Sequence, residues 1–167
     1  MPNSCQCLRW TLICLALCLV NSRRCKVPYE KVEEHYCYYI ADDMPETAFS
    51  NFCYQDKRTS RVCLDSDKEM RTLANFLYAS GYDNGTEFWS AGHRWAGDLQ
   101  FYWNYFGHAR RMNYTNWQLG EPTPRMGRNC LLLTLQAGEL IMSSASCYTR
   151  AIQICEQLLT NEPIVMH

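Results

Sequence analysis

The sequence predicts one α+β domain. Three observations carry that expectation. Two stretches show helical periodicity, five short aromatic or aliphatic runs broken by turn residues follow them, and the chain holds 11 cysteines. The order is hairpin, two helices, then strands around a long loop that contains Pro and Gly. With 167 residues, 47% apolar and 13% aromatic, the chain can bury a proper core, and its aromatic content excludes disorder. A formal net charge of −1 gives no reason to expect nucleic acid as a partner.

Residues 1–22 read as a signal peptide. Arg9 precedes the uncharged apolar run TLICLALCLV, and Val20 and Ser22 supply small residues at −3 and −1 for cleavage after Ser22. That run is too short for a spanning helix, which needs ~20 apolar residues, and no second run of its length follows, so no membrane span is expected. The mature chain would begin at Arg23 and be secreted. Cleavage removes Cys5, Cys7, Cys14 and Cys18 and leaves Cys25, Cys37, Cys53, Cys63, Cys130, Cys147 and Cys155. An odd cysteine therefore remains. The other six could pair in about fifteen ways, which spacing alone does not resolve. No CxxC pair stands among them, which argues against zinc.

Along the mature chain, residues 25–39 read as a hairpin or strand, with Tyr36, Tyr38 and Tyr39 around Cys37. A first helix is expected over residues 45–53. Pro45 suits an opening turn, and Ala48, Phe49, Phe52 and Cys53 share one face at helical spacing. A second helix begins at Ser66-Asp67-Lys68-Glu69, whose Ser and Glu can each satisfy a free N–H. Met70, Leu73, Ala74 and Leu77 form its apolar stripe, and Gly81 ends it. The strand-like runs are Phe88-Trp89, Phe101-Tyr102-Trp103, residues 114–117, residues 131–135 and residues 151–155. After Glu156 the chain becomes mixed in polarity with a Pro. The domain is therefore set at residues 23–157, with 158–167 as a C-terminal tail.

The wording of these pieces is distinctive in its order: Cys37-Tyr38-Tyr39, Phe88-Trp89-Ser90-Ala91-Gly92, Phe101-Tyr102-Trp103, Tyr114-Thr115-Asn116-Trp117, Gly120-Glu121-Pro122, Asn129-Cys130-Leu131 and Ile154-Cys155-Glu156. Over residues 25–156 the chain resembles the C-type lectin-like domain family in its long, secreted form, with an insect-like flavour. The resemblance implies two helices packed on small antiparallel sheets with a long loop region. It also implies three disulfides, Cys25–Cys37, Cys53–Cys155 and Cys130–Cys147. Cys63 is then a free thiol, either half-buried or the link of a disulfide-bonded dimer.

Sugar-binding members of that family hold calcium through a Glu-Pro-Asn or Gln-Pro-Asp triplet, a later Glu and a Trp-Asn-Asp triplet. The resemblance places these on Glu121-Pro122-Thr123, on Arg128 and on Met142-Ser143-Ser144. One strong ligand, Glu121, survives. Hydroxyls are poor substitutes for carboxylates around a hard cation, and a guanidinium in the shell repels it. No metal and no cofactor are therefore expected, and calcium is expected to be lost. The degenerate site comprises Glu121, Thr123, Arg128, Ser143 and Ser144. By resemblance Pro122 is cis. Arg128 either pairs with Glu121 or points into solvent.

Residues 104–129 carry Arg110, Arg111, Arg125 and Arg128 with His108, against Glu121 alone. This is either a solvated face or a surface for an anionic partner. Asn84-Gly85-Thr86 and Asn113-Tyr114-Thr115 are candidate glycosylation sites. No motif links His35, His93, His108 or Cys63 to catalysis, so an enzyme is not expected. Trp103, Tyr105 and Trp117 could stack on sugars, but Trp103 and Trp117 match core positions of the family. The expected function is secreted, extracellular, non-catalytic recognition of a glycan or glycoprotein, with a protein-binding module without sugar activity as the alternative.

Overall fold

The computed structural model describes residues 25–159 except Glu34 and Asp56. The expected signal peptide and residues 160–167 of the expected tail lie outside the described residues.

The tyrosine-rich start forms a hairpin of β1 (Glu30–Val32) and β2 (Tyr36–Glu46), in which Lys31 faces Cys37. The helix α1 (Asp67–Ala79) is built as its sequence implies. The Ser66 hydroxyl accepts the Glu69 N–H at 3.2 Å, and the Glu69 carboxylate accepts the Asp65 N–H at 2.6 Å. Its stripe of Met70, Leu73, Ala74 and Leu77 is buried. At the far end Gly81 adopts a φ of 90°, and the N–H groups of Gly81 and Tyr82 return to the carbonyls of Tyr78 and Leu77. That pairing closes the last turn and needs the left-handed residue that Gly provides.

Among the described residues α1 is the only α-helix, so the helix expected over 45–53 is corrected. β2 runs on through Pro45 to Glu46, and turns follow. A helix would bond the carbonyls of Ala48 and Ser50 to the N–H groups of Phe52 and Tyr54. Here the guanidinium of Arg61 donates to both carbonyls, reaching Ser50 at 3.2 Å. The Phe52 N–H turns to the Ser50 hydroxyl and the Tyr54 N–H to the Asn51 carbonyl. A buried cation has taken the acceptors that a helix would use.

The remaining strands are β3 (Thr59–Arg61), β4 (Glu87–His93), β5 (Tyr102–Tyr105), β6 (His108–Arg111), β7 (Cys130–Gln136), β8 (Glu139–Ala145) and β9 (Ala151–Gln157). They join in order β1-β2-β9-β4-β5-β6, with β3 against β9 and the β7–β8 hairpin against β4. The sheet is mixed rather than purely antiparallel. β9 pairs antiparallel with β2 and β3 but parallel with β4, because its start at Ala151 is level with the start of β4. The run 114–117 forms no strand beyond a bridge from Trp117 to Met142.

Trp89, Trp103, Tyr38, Phe88 and Phe101 are the largest fully buried side chains. Trp117 packs against this core with its ring 5.1 Å from that of Phe101, so Trp103 and Trp117 serve packing. The packed chain passes the boundary set at 157: Leu158 donates to the Arg58 carbonyl and Leu159 is buried.

All three disulfides pair as the resemblance implies. Cys63 is free and only 6% exposed, between the fully buried Val62 and Leu64. Both faces of this segment are covered, so the thiol is buried rather than half-buried. A dimer linked through Cys63 does not fit this fold, since no partner's sulfur could reach it. Burial also pushes its thiol well above the ordinary value, which suppresses the reactive thiolate.

Where β4 meets β7, Gly92 allows close approach. A Cβ there would stand 2.6 Å from the Leu131 Cβ. Gly92→Ala is therefore expected to destabilise by about 1–3 kcal/mol through overpacking. The check is a lower urea midpoint at unchanged slope.

Candidate functional site

The loop from β6 to β7 delivers Glu121, Thr123 and Arg128, and β8 delivers Ser144. Gly120 turns at a φ of 83°, and the Glu121–Pro122 bond is cis, as the resemblance implies. The Glu121 carboxylate then meets three donors on one oxygen. Its Oε2 accepts the Thr123 N–H at 2.8 Å, the Ser144 N–H at 3.0 Å and the Ser144 hydroxyl. The Arg128 guanidinium closes the other side. Its Nε donates to the Ser144 carbonyl at 2.7 Å, and its Nη2 lies 4.0 Å from Glu121 Oε1. Arg128 therefore pairs with Glu121, but end-on rather than as a two-pronged fork.

Burial pushes the Glu121 carboxyl up, yet the Ser144 hydroxyl, the two N–H donors and Arg128 outweigh it and hold it below the ordinary value. The group is an ionised carboxylate locked by its neighbours, with a side chain 15% exposed beside an Arg128 that is 39% exposed.

The structure brings Glu121, Thr123, Arg128 and Ser144 together. Thr123 contributes through its backbone. Ser143 is not drawn into this network, because adjacent residues of β8 point to opposite faces and Ser144 occupies the inward one. Sequence reasoning missed Arg94. This buried residue follows β4, donates to the carbonyls of Thr123 at 2.7 Å and Arg125 at 3.1 Å, and stacks over Phe101. It supports the loop from beneath. No motif marks it; only the Phe-Trp-Ser-Ala-Gly strand just before it hinted at a strand end.

The run of arginines is divided by the fold. Arg110 turns inward to Asp65 and covers the Tyr105 ring at 3.8 Å, and Arg128 is engaged with Glu121. Arg111, Arg125 and His108 remain exposed. As for a metal, Glu121 is the cluster's single carboxylate, and both its oxygens already face donors. A hard divalent cation wants six to eight oxygens, so these residues do not fit it. Among the described residues no group of three or more His, Cys, Asp or Glu is placed to hold a metal ion.

CEL-I, a C-type lectin from Cucumaria echinata, matches the structure with a TM-score of 0.69 at 19% identity, over 81% of this chain and 99% of its own. This is the C-type lectin-like fold. Human lithostathine matches with a TM-score of 0.69 at 22% identity, over 84% of this chain and 95% of its own. A calcium-independent type II antifreeze protein matches with 0.62 at 17% identity, over 81% and 95%. No family model matches the sequence, and no curated protein does. What these neighbours share with the chain is the C-type lectin-like fold. Among the described residues no helix is long and apolar enough to cross a membrane.

Proposed function

We propose that the protein is a secreted, extracellular, non-catalytic recognition domain that binds a glycan or glycoprotein without calcium. The observation that carries this reading is the closed Glu121 cluster. Ser144, Thr123 and Arg128 supply the positive partners that an ion would otherwise supply, so the loop is held in shape without one. The exposed edge of Arg128, with the exposed Arg125 just before it in the chain, favours an anionic group on the ligand. Asn84 and Asn113 are exposed and take N-linked glycans in this reading. CEL-I is by name a lectin and the antifreeze neighbour is by name calcium-independent, and both descriptions are in keeping with the proposal.

The test is a glycan array run with and without a chelator. Binding that survives the chelator is expected. Binding that vanishes with it, or sub-millimolar calcium uptake by calorimetry, would overturn the calcium-free reading. A second reading has its own support: Trp95, Leu99, Leu119 and Met126 are apolar side chains exposed in the long loop region, as at protein contact surfaces. Silence on the array would favour this protein-binding module.

A further inference from the structure

The turn segment at residues 47–54 leaves a cleft of about 270 Å³ between itself and the strands β4, β5 and β7. It shares no lining residue with the Glu121 cluster. Arg61, His93, Asn104, Asn51, Tyr54 and Phe49 are among the residues around it, and none of the described lining residues is acidic.

Arg61 is the unusual member. It is 8% exposed, and burying a guanidinium ordinarily demands a carboxylate beside it. Its contacts are instead the carbonyls of Ala48 and Ser50 and the Tyr54 ring, whose centre lies 5.5 Å from the guanidinium carbon. Among the described residues its Nε has no acceptor, and neither does Nδ1 of the nearby His93 have a partner. Among the described residues, then, a positive charge stands at the wall of a cleft with no carboxylate paired to it. The rim is aromatic. Phe49 is 59% exposed, and its ring meets the exposed Tyr148 edge-on at 5.1 Å. Apolar rings left in water at the mouth of a polar cleft suit a ligand with both a flat C–H face and a polar end. The amides of Asn51 and Asn104 add donors and acceptors for hydroxyls.

We infer that this cleft binds an acidic sugar unit, its carboxylate or sulfate directed to Arg61 and its ring face against Phe49. The volume lies just below roughly 300 Å³, the lower end of small-molecule sites, which suits one ring rather than a chain of them. The inference goes beyond the reading of the Glu121 cluster and stands whether or not that cluster binds sugar.

The experiment is a titration of the mature protein with D-glucuronate, with D-glucose as the neutral counterpart and inorganic sulfate as the bare anion, followed by amide NMR shifts. Glucuronate is expected to bind about tenfold more tightly than glucose, the worth of one charge-assisted hydrogen bond, with shifts at Asn51, His93 and Asn104. Sulfate should shift the same amides more weakly, because it lacks the ring. Phe49→Ala, at an exposed position, should weaken glucuronate several-fold, about as expected for a lost aromatic contact. Asn104→Asp keeps the shape but places a negative charge in the cleft. It should abolish the preference for glucuronate, which keeps the proposal testable even if Arg61 variants fail to fold. Equal affinity for glucuronate and glucose, or glucuronate binding unchanged in Asn104→Asp, would overturn it. Arg128→Ala separates the two sites: it should leave glucuronate binding in the cleft intact, and an effect on the array signal alone would belong to the Glu121 cluster.

Discussion

Replacing Cys53 and Cys155 together by alanine is expected to lower the unfolding free energy by about 3–5 kcal/mol, the largest loss of the three bridges. The bond closes a separation of 102 residues, against 12 for Cys25–Cys37 and 17 for Cys130–Cys147. Opening a long loop frees more conformations of the unfolded chain, so the cost grows with the logarithm of its length. The native side adds to this. Cys53 lies in the turn segment, which no strand pairing holds, while Cys155 lies in β9, the strand that pairs with β2, β3 and β4. The measurement is guanidinium unfolding of the oxidised protein and of the paired alanine variants. A loss at Cys53–Cys155 no greater than at Cys25–Cys37 would contradict the loop-length account.

The second large effect is expected at Glu156. Burial pushes its carboxyl up to about 8, and Glu69 adds repulsion, against the opposing pull of the Cys63 N–H and Arg110. The folded protein thus keeps a proton that the unfolded chain releases near its ordinary value of about 4.5. The sign follows directly. The native state binds more protons, so this group's contribution is favourable below pH ~4.5, declines as pH rises, and levels off above pH ~8. Glu69, raised by burial, acts in the same sense. His93, lowered by burial, acts in the opposite one. Glu156→Gln isolates the effect, since the amide stays neutral. The variant should gain about 2–4 kcal/mol over the parent at pH 8.5, allowing for partial exposure, and nothing at pH 4. Urea unfolding at the two pH values checks this, and an equal difference at both would refute it.

Much of the fold was legible because local chemistry and tertiary need agree at those positions. In α1 the Ser66 cap, the stripe from Met70 to Leu77 and the Gly81 stop all point to the same helix. The disulfide pattern was legible through resemblance, not through spacing. Residues 45–53 were misread because Ala48, Phe49, Phe52 and Cys53 are spaced as one helical face, whereas only Ala48 and Cys53 are buried and both phenylalanines are exposed. What decides against a helix is Arg61, a residue outside the segment whose guanidinium takes two of its carbonyls. No local pattern announces such a distant competitor.

At the candidate site, Glu121 and Arg128 were nameable from the sequence, but whether they met was not. The meeting depends on Ser144 being brought from β8 to accept Arg128 and donate to Glu121. Ser143 was grouped with it because the two are adjacent, whereas a strand sends neighbours to opposite faces. Arg94 and Arg61 escaped for the same reason as each other. Each is an ordinary arginine in sequence, and only the fold places it against a loop's carbonyls.

Cys63, the unpaired cysteine, has a practical consequence. The residue is 6% exposed, beside the strand β9 that holds the sheet together, so an alkylating reagent too bulky for the adjoining cleft of about 140 Å³ can reach it only while that region is open. With no other free thiol among the described residues, the rate of labelling would report a single opening event. The protein carries its own clock for how often its centre comes apart.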